Sequence, residues 1–345
     1  MTFDIQNLLR DNIRKLKPYS SARDEFSGEA AVFLDANENP FNAPYNRYPD
    51  PRQTELKSKI APVKKVPPEN IFLGNGSDEP IDLLIRAFCT PGKDNIVAIA
   101  PTYGMYRVAA DVNDVKVIEA PLNADYTLSP KTVLDTVTPN TKMVFLCSPN
   151  NPTGNALGKE AMLEIMNNFT GLVIVDEAYI DFCPERSLLP ELPEHPNLVV
   201  LQTFSKAWGM AGIRLGMAFA SQEIIDVLNR IKYPYNINIL TQLKAIELIE
   251  LEKEKSDWVK ILVSEREKLA EKLREFPFVV KVYPSDANFL LIKTHDPRGI
   301  YDYLVEEKII VRDRSGVALC EGSLRISVGS EMENQRLIEA LEALV

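Results

Sequence analysis

Seven short apolar runs limit what this chain can fold into. They are NIFLG (70–74), NIVAIA (95–100), VKVIEA (115–120), KMVFLC (142–147), GLVIVD (171–176), NLVVLQTF (197–204) and LGMAFA (215–220). Stretches such as MVFL and LVIV lack polar alternation, as strands covered on both faces do. Amphipathic segments lie between several of the runs. EPIDLLIRAF (79–88) places apolar residues at 81, 84, 85 and 88, and KEAMLEIMNNF (159–169) is a second such stretch. The alternation predicts an α/β domain with a mostly parallel central sheet and helices on both faces.

The pattern changes after about residue 240. ILTQLKAIELIELEKEKSDWVKILVSEREKLAEKLREF reads as a long helical region, divided into two helices at Ser256-Asp257. FVVKVYPSDANFLLIKT, a helix around IYDYLVEEK, then KIIVRDR, SLRISVG and a last helix follow. This order predicts a smaller α+β domain. The expected division assigns residues 29–245 to the large domain and residues 1–28 with 246–345 to the small one. A helix over residues 4–16 has no obvious place in the sheet and is expected to pack beside the small domain. PYNRYPDP (44–51) is turn-rich.

At 345 residues and 45% hydrophobic content, the chain can bury a large core split over two domains. A net charge of −10 and the lack of a Lys/Arg-rich stripe argue against a nucleic-acid partner. The opening MTFDIQNLLRDNIRKLKPY mixes acids and bases, without the apolar stretch of a signal peptide, and no run approaches transmembrane length. A cytoplasmic protein with no membrane partner is expected. Cys89, Cys147, Cys183 and Cys320 are too far apart in sequence for a CxxC pair and are expected to be reduced core residues. The only two histidines, His195 and His295, sit in proline-flanked loops. Neither a metal site of the HExxH type nor a Ser-His-Asp triad is expected, which leaves lysine as the leading proton carrier.

In open α/β sheets ligands bind beyond the carboxyl ends of the strands. NIFLG is followed by NGSDEP with Ser77, Asp78 and Glu79, and NIVAIA by PTYGMY with Tyr103. KMVFLC is followed by SPNNPTG with Asn150 and Asn151, and GLVIVD ends in Asp176 ahead of Tyr179. NLVVLQTF leads into Ser205 and Lys206, with Arg214 eight residues on. Taken singly, each has a plain structural explanation: a capped turn, a rigid loop, a packed tyrosine, a surface lysine. The set is what points to a site.

Pyridoxal phosphate has a use for every member of that set. Its phosphate suits a helix N-terminus with hydroxyls and an arginine, here Ser77, the Asp78 backbone N–H, Ser205 and Arg214. Its ring takes a stacking partner, Tyr103. Its ring nitrogen works as part of an electron sink when protonated, which calls for a carboxylate, Asp176. Its phenolic oxygen takes donors, Asn151 and Tyr179, and its aldehyde takes an amine, Lys206.

SPNNPTG (148–154), DEAYIDF (176–182) and TFSKAWGMAGIRLG (203–216) resemble the core motifs of the fold-type I pyridoxal-phosphate aminotransferases. LDANENP (34–40), RYPDP (47–51), GSDEPIDLLIRAF (76–88), PTYGMY (101–106) and LRISVG (324–329) resemble the histidinol-phosphate branch of that family. The likeness covers nearly the whole chain. It implies that Lys206 carries the covalent link to the cofactor, that Asp176 pairs with the ring nitrogen, and that Tyr103, Asn151 and Tyr179 hold the ring. It implies that Tyr48, in RYPDP, reaches the cofactor phosphate of the other subunit, so that a homodimer shares two sites. Arg325 would bind the acidic end of the substrate, although the residues alone allow a surface ion pair equally well. Tyr19, Asn37 and Arg336 are further implied substrate contacts. The implied reaction is the ping-pong exchange of an amino group between histidinol phosphate and 2-oxoglutarate, giving imidazole acetol phosphate and glutamate. A phosphothreonine decarboxylase or an aromatic amino acid aminotransferase would use the same scaffold. A pyridoxal-binding regulator with a DNA-binding module is not expected, given the acidic charge, and a nucleotide-binding protein is opposed by the incomplete glycine fingerprint in GNGSDE.

Overall fold

The computed structural model describes residues 3–18 and 32–344. All seven apolar runs form strands: β1 (Ile71–Asn75), β2 (Asn95–Ala100), β3 (Lys116–Pro121), β4 (Thr141–Cys147), β5 (Leu172–Asp176), β6 (Leu198–Thr203) and β7 (Leu215–Ala220). They make one sheet in the order β1-β7-β6-β5-β4-β2-β3. β7 runs antiparallel to both neighbours, and the other pairs are parallel. Since β1 and β6 both oppose β7, six strands end at the same edge.

Successive side chains of a strand face opposite sides. Val173 and Val175 of β5 join Leu73, Val97, Val144 and Val200 in a core on one face. Helices Thr54–Lys64, Lys159–Asn168 and Ile239–Ile249 cover it through Leu56 and Ile60, Met162 and Ile165, and Ala245 and Ile249. Ile174 points the other way, with Phe72, Ile96, Phe145 and Val199, under helices Asp78–Phe88, Met105–Val112 and Gln222–Ile231. Both faces being dry, each fully buried Val or Ile contributes about 1.5–3 kcal/mol. That is why the runs are apolar throughout.

A second, antiparallel sheet has the order β10-β11-β9-β8, with β8 Val279–Val282, β9 Phe289–Thr294, β10 Arg312–Asp313 and β11 Ser323–Ser327. Leu290, Ile292, Leu324 and Ile326 pack against helices Glu252–Glu275, Pro297–Glu306 and Glu331–Glu342. Ala287 and Phe289 pack instead with Tyr179, Phe182 and Ala207 of the large layer. The Asp286 N–H donates to the Gly154 carbonyl at 2.8 Å, and the Asp286 carboxylate accepts from the Ala156 N–H at 2.8 Å. The small layer is therefore clasped to SPNNPTG.

Three expectations are corrected. The long helical region breaks at Glu250-Leu251, between helices Ile239–Ile249 and Glu252–Glu275, and not at Ser256-Asp257. Ser256 returns its hydroxyl to the Glu252 carbonyl at 2.9 Å, and Asp257 pairs with Lys253 and Lys260 one turn away on each side. Both polar residues are thus accommodated within a helix. The expected division between residues 245 and 246 consequently falls inside a helix that packs on the large sheet.

The N-terminal segment forms two short helices, Ile5–Leu8 and Asp11–Arg14, and packs on the large layer rather than beside the small one. Ile5, Leu9 and Ile13 make an apolar stripe at helical spacing, buried with Phe72, Ile81 and Phe88. The Arg10 N–H donates to Ala87 O at 3.1 Å and its guanidinium to Arg86 O at 2.8 Å, satisfying carbonyls at the end of helix Asp78–Phe88. Among the described residues, no helix is long and apolar enough to cross a membrane. All four cysteines are buried and unpaired.

Candidate active site

The shared strand edge holds a pocket lined by Gly76, Ser77, Asp78, Tyr103, Asn151, Asp176, Tyr179, Ser205, Lys206 and Arg214, with Cys147, Ala178 and Thr203 beneath. Every residue read from the strand ends as a cofactor contact lies on this one wall. Arg214 belongs with them because β7 is antiparallel, so its start meets the ends of the other strands.

Asp176, the last residue of β5, is 2% exposed. It accepts hydrogen bonds from Tyr106 Oη at 2.7 Å and from the Ala178 N–H at 3.1 Å. Burial pushes its carboxyl up to about 6, against the pull of those two donors. Next to it, buried Glu177 accepts from the Leu188 N–H (2.6 Å), Ser187 Oγ (2.8 Å) and Gln202 Nε2 (2.8 Å). Burial likewise raises Glu177, to about 7. The Gln202 bond ties the end of β5 to β6 and so fixes Asp176 relative to Lys206.

Lys206 is exposed, but to this cavity. Its amine is held below the ordinary lysine range, first by desolvation and then by the Arg325 guanidinium, with Asp176 opposing. Its Nζ lies 5.6 Å from the Tyr179 ring centroid. Asn151 Nδ2 donates to Tyr179 Oη at 3.3 Å, and Asn151 Oδ1 accepts from Arg325 Nη1 at 2.6 Å. Arg325 therefore reaches from β11 of the small sheet to Asn151 in the lining of the large layer's pocket. The neighbouring Asn150 is fully buried and bridges the Pro101 carbonyl (2.9 Å), Thr102 Oγ1 (3.0 Å) and Thr153 Oγ1 (2.8 Å), holding the loops after β2 and β4 together.

The cradle at the end of β1 is built by close approach. Gly76 has φ +69°, and a Cβ there would lie 2.6 Å from Arg214 Nη2. A Cβ on Gly216 would lie 2.2 Å from the Gly76 carbonyl carbon. Both glycines admit backbone and guanidinium where a side chain would block them. Ser77, at the start of helix Asp78–Phe88, makes no side-chain cap bond, and Ser77 and Asp78 line the pocket at the helix end that carries unpaired N–H groups. Arg214 Nη2 stands 4.0 Å from Asp78 Oδ2, and Tyr103 Oη donates to Asp78 Oδ1 at 3.2 Å.

Other implied contacts lie elsewhere in this chain. Tyr48 and Asn37 line a separate concavity in which Tyr48 stacks on Tyr235, centroids 4.4 Å apart. Arg336 does not reach the pocket. Helix Glu331–Glu342 buries Leu337 and Ile338 and leaves Arg336 on its outer side, paired with Glu307 at 3.1 Å. Tyr19 lies outside the described residues. Tyr106 escaped the sequence reading. Its signal is its place three residues after Tyr103, one helical turn along, so that both rings face the end of β5.

The chain matches the family model for aminotransferase class I and II over residues 31–343. It belongs to this family. The family depends on pyridoxal phosphate. The chain is 58% identical over 339 residues to histidinol-phosphate aminotransferase of Bacteroides fragilis strain YCH46, covering 98% of each chain. It superposes on the crystal structure of histidinol-phosphate aminotransferase from Clostridium acetobutylicum with a TM-score of 0.80 at 25% identity, over 87% of this chain and 91% of that one. The enzyme from Sinorhizobium meliloti, solved in complex with pyridoxal-5'-phosphate, shares the fold with a TM-score of 0.80 at 23% identity, over 87% and 84% of the two chains.

Proposed function

We propose that this chain is a pyridoxal-phosphate-dependent aminotransferase that exchanges an amino group between histidinol phosphate and 2-oxoglutarate, yielding imidazole acetol phosphate and glutamate. The observation that carries the reading is the convergence of Lys206, Asp176 and Asn151 on one pocket, with Arg325 bonded to Asn151 behind it. The 58% identity to a histidinol-phosphate aminotransferase supports the substrate.

The pocket suits the cofactor. Ser77, the first N–H groups of its helix, Ser205 and Arg214 would hold the phosphate where Gly76 and Gly216 leave room. Tyr103 would cover the ring, and Asn151 and Tyr179 would meet the phenolic oxygen. When bound, pyridoxal phosphate supplies an aldehyde for amine exchange and a ring that draws electrons from the substrate Cα. Asp176, oriented by Tyr106 and Ala178, holds the proton of the ring nitrogen. Lys206, its amine kept below the usual lysine range, has more neutral amine at pH 7 than a free lysine. It would accept the proton from the substrate Cα as a base and hand it on, as an acid, to the carbon that carried the cofactor's aldehyde. Arg325 fixes the Asn151 amide with its NH2 group toward Tyr179 and keeps a second guanidinium nitrogen for an acidic substrate group. Both half-reactions use this pocket in turn, so the kinetics are ping-pong.

The reading includes a cytoplasmic homodimer. Tyr48 lies outside its own chain's Lys206 pocket, half-exposed on Tyr235, which suits service to a partner's site. Phe41, Tyr45, Tyr233 and Leu240 are exposed apolar side chains that such an interface would cover. Borohydride reduction of the holoenzyme followed by peptide mapping tests the site. The cofactor label is expected on Lys206, and a label on any other lysine defeats the assignment.

A further inference from the structure

A cleft of about 460 Å³ lies apart from the Lys206 pocket and shares no lining residue with it. Its walls come from helix Thr54–Lys64, helix Gln222–Ile231 and the segments that flank them. Among the described residues, the lining carries four cationic side chains, Arg52, Lys57, Arg230 and Lys232, against two carboxylates, Glu69 and Asp226. The chain as a whole has a net charge of −10, so this cationic excess is local.

Lys57 is the anomaly there. Leu56 and Ile60 carry the buried face of the first helix, and Lys57 lies on the flank of that face. It is only 8% exposed, yet among the described residues no carboxylate pairs with it and nothing accepts a hydrogen bond from its amine. Burial pushes that amine down to about 8, and Lys232 and Arg52 push the same way. Asp50 and Asp226 pull against them without making up the loss. Asp50 is already committed: its carboxylate accepts from the Arg52 N–H at 2.7 Å and the Thr54 N–H at 2.6 Å, where the helix begins. Lys232 turns its amine to the carbonyls of Pro51 (2.8 Å), Tyr233 (3.2 Å) and Pro234 (2.8 Å), which brings its charge close to Lys57. Arg230 stands one helical turn after Asp226, the spacing of a helix ion pair, but the two are not paired. A buried lysine still mostly charged at neutral pH, with no counter-charge of its own, suits an anion that arrives from outside.

We propose that this cleft is a second ligand site, for a phosphate group either free or carried by a small metabolite, with Lys57 and Arg230 as its cations. A phosphate dianion brings both the missing charge and acceptors for the Lys57 amine. The volume lies within the range of small-molecule pockets, about 300–1,000 Å³, and leaves space beside a phosphate. Pro51, Ile225 and Pro234 give that space an apolar wall. The site is independent of the chemistry at Lys206.

The test is acetylation of the holoenzyme with acetic anhydride, read at Lys57 by peptide mass spectrometry, with inorganic phosphate and glucose 6-phosphate as probes. A bound phosphate covers the amine and keeps it protonated, so saturating phosphate should slow acetylation of Lys57 about 10-fold or more. Exposed Lys59 on the same helix should react unchanged. Arg230→Gln should raise the concentration for half-protection about 10-fold, the loss of one charged hydrogen bond. Both probes acting alike supports a site for the phosphate group alone, and tighter protection by glucose 6-phosphate supports one for a phosphorylated metabolite. Lys57 acetylation indifferent to both probes, or protection that chloride reproduces at equal ionic strength, overturns the site. If Lys57 does not react even without phosphate, calorimetric titration of the Arg325→Ala holoenzyme with inorganic phosphate decides. A binding heat that Lys57→Met removes in that background supports the site, and a heat that Lys57→Met leaves unchanged, or none at all, overturns it.

Discussion

Asp176 should weaken the cofactor-free protein while being needed by the holoenzyme. Its carboxyl is raised from 3.8 to about 6 by burial. A group that binds its proton more tightly folded than unfolded makes the protein less stable as pH rises between the two values. The gap of roughly two units sets that cost at about 3 kcal/mol above pH 7. Asp176→Asn removes the ionisation, but its amide offers an oxygen to only one of Tyr106 and Ala178 and turns an NH2 group toward the other, a loss of about 1 kcal/mol. The cofactor-free variant should therefore be more stable than the cofactor-free wild type at pH 8 by roughly 2 kcal/mol, an apparent Tm gain of a few degrees. At pH 4, where the folded wild type is already protonated, that advantage should be gone. Thermal unfolding of both proteins at fixed concentration and scan rate, at the two pH values, reads this directly. A variant no more stable than wild type at pH 8, or a difference independent of pH, would refute the desolvation argument. The holoenzyme must show the opposite sign, with Asp176→Asn losing turnover.

Gly216→Ala should be among the costliest small substitutions, because its methyl group meets the Gly76 backbone at 2.2 Å and not a side chain that can swing away. A stability loss of about 1–3 kcal/mol or more by denaturant titration is expected, with reduced cofactor absorbance in the purified protein. Arg336→Ala removes only an exposed ion pair with Glu307. It should change stability by less than about 1 kcal/mol and leave both half-reactions near wild type, whereas Arg325→Ala should impair both.

The strand edge was legible in the sequence because both physical signals were strong there. Strands dry on both faces leave uninterrupted apolar runs, and all seven were located to within a residue of their observed ends. Ligand-binding groups collect just past those ends, which is how Asp176, Asn151 and Lys206 could be read as one constellation. What failed to show was tertiary. The stripe at residues 5, 9 and 13 reveals that a helix is amphipathic but not which layer it covers. Ser256 and Asp257 carry the residue types of a helix start, yet their bonds to Glu252, Lys253 and Lys260 keep the helix running. Arg336 and Arg325 read alike as arginines near the C-terminus. Only β11's register against β9 and β10 sends one toward Asn151, while its helix turns the other outward. Only the packing of its helix on the sheet brings the Tyr106 hydroxyl to Asp176.

The cofactor spectrum of the purified holoenzyme tests the account most directly. Glutamate should convert the pyridoxal absorbance to that of the pyridoxamine form, and imidazole acetol phosphate should convert it back. Histidinol phosphate followed by 2-oxoglutarate should drive the same cycle, and Lys206→Ala should abolish both. A spectrum that glutamate leaves unchanged, or one that cycles with aromatic amino acids but not with histidinol phosphate, would contradict the proposed reaction.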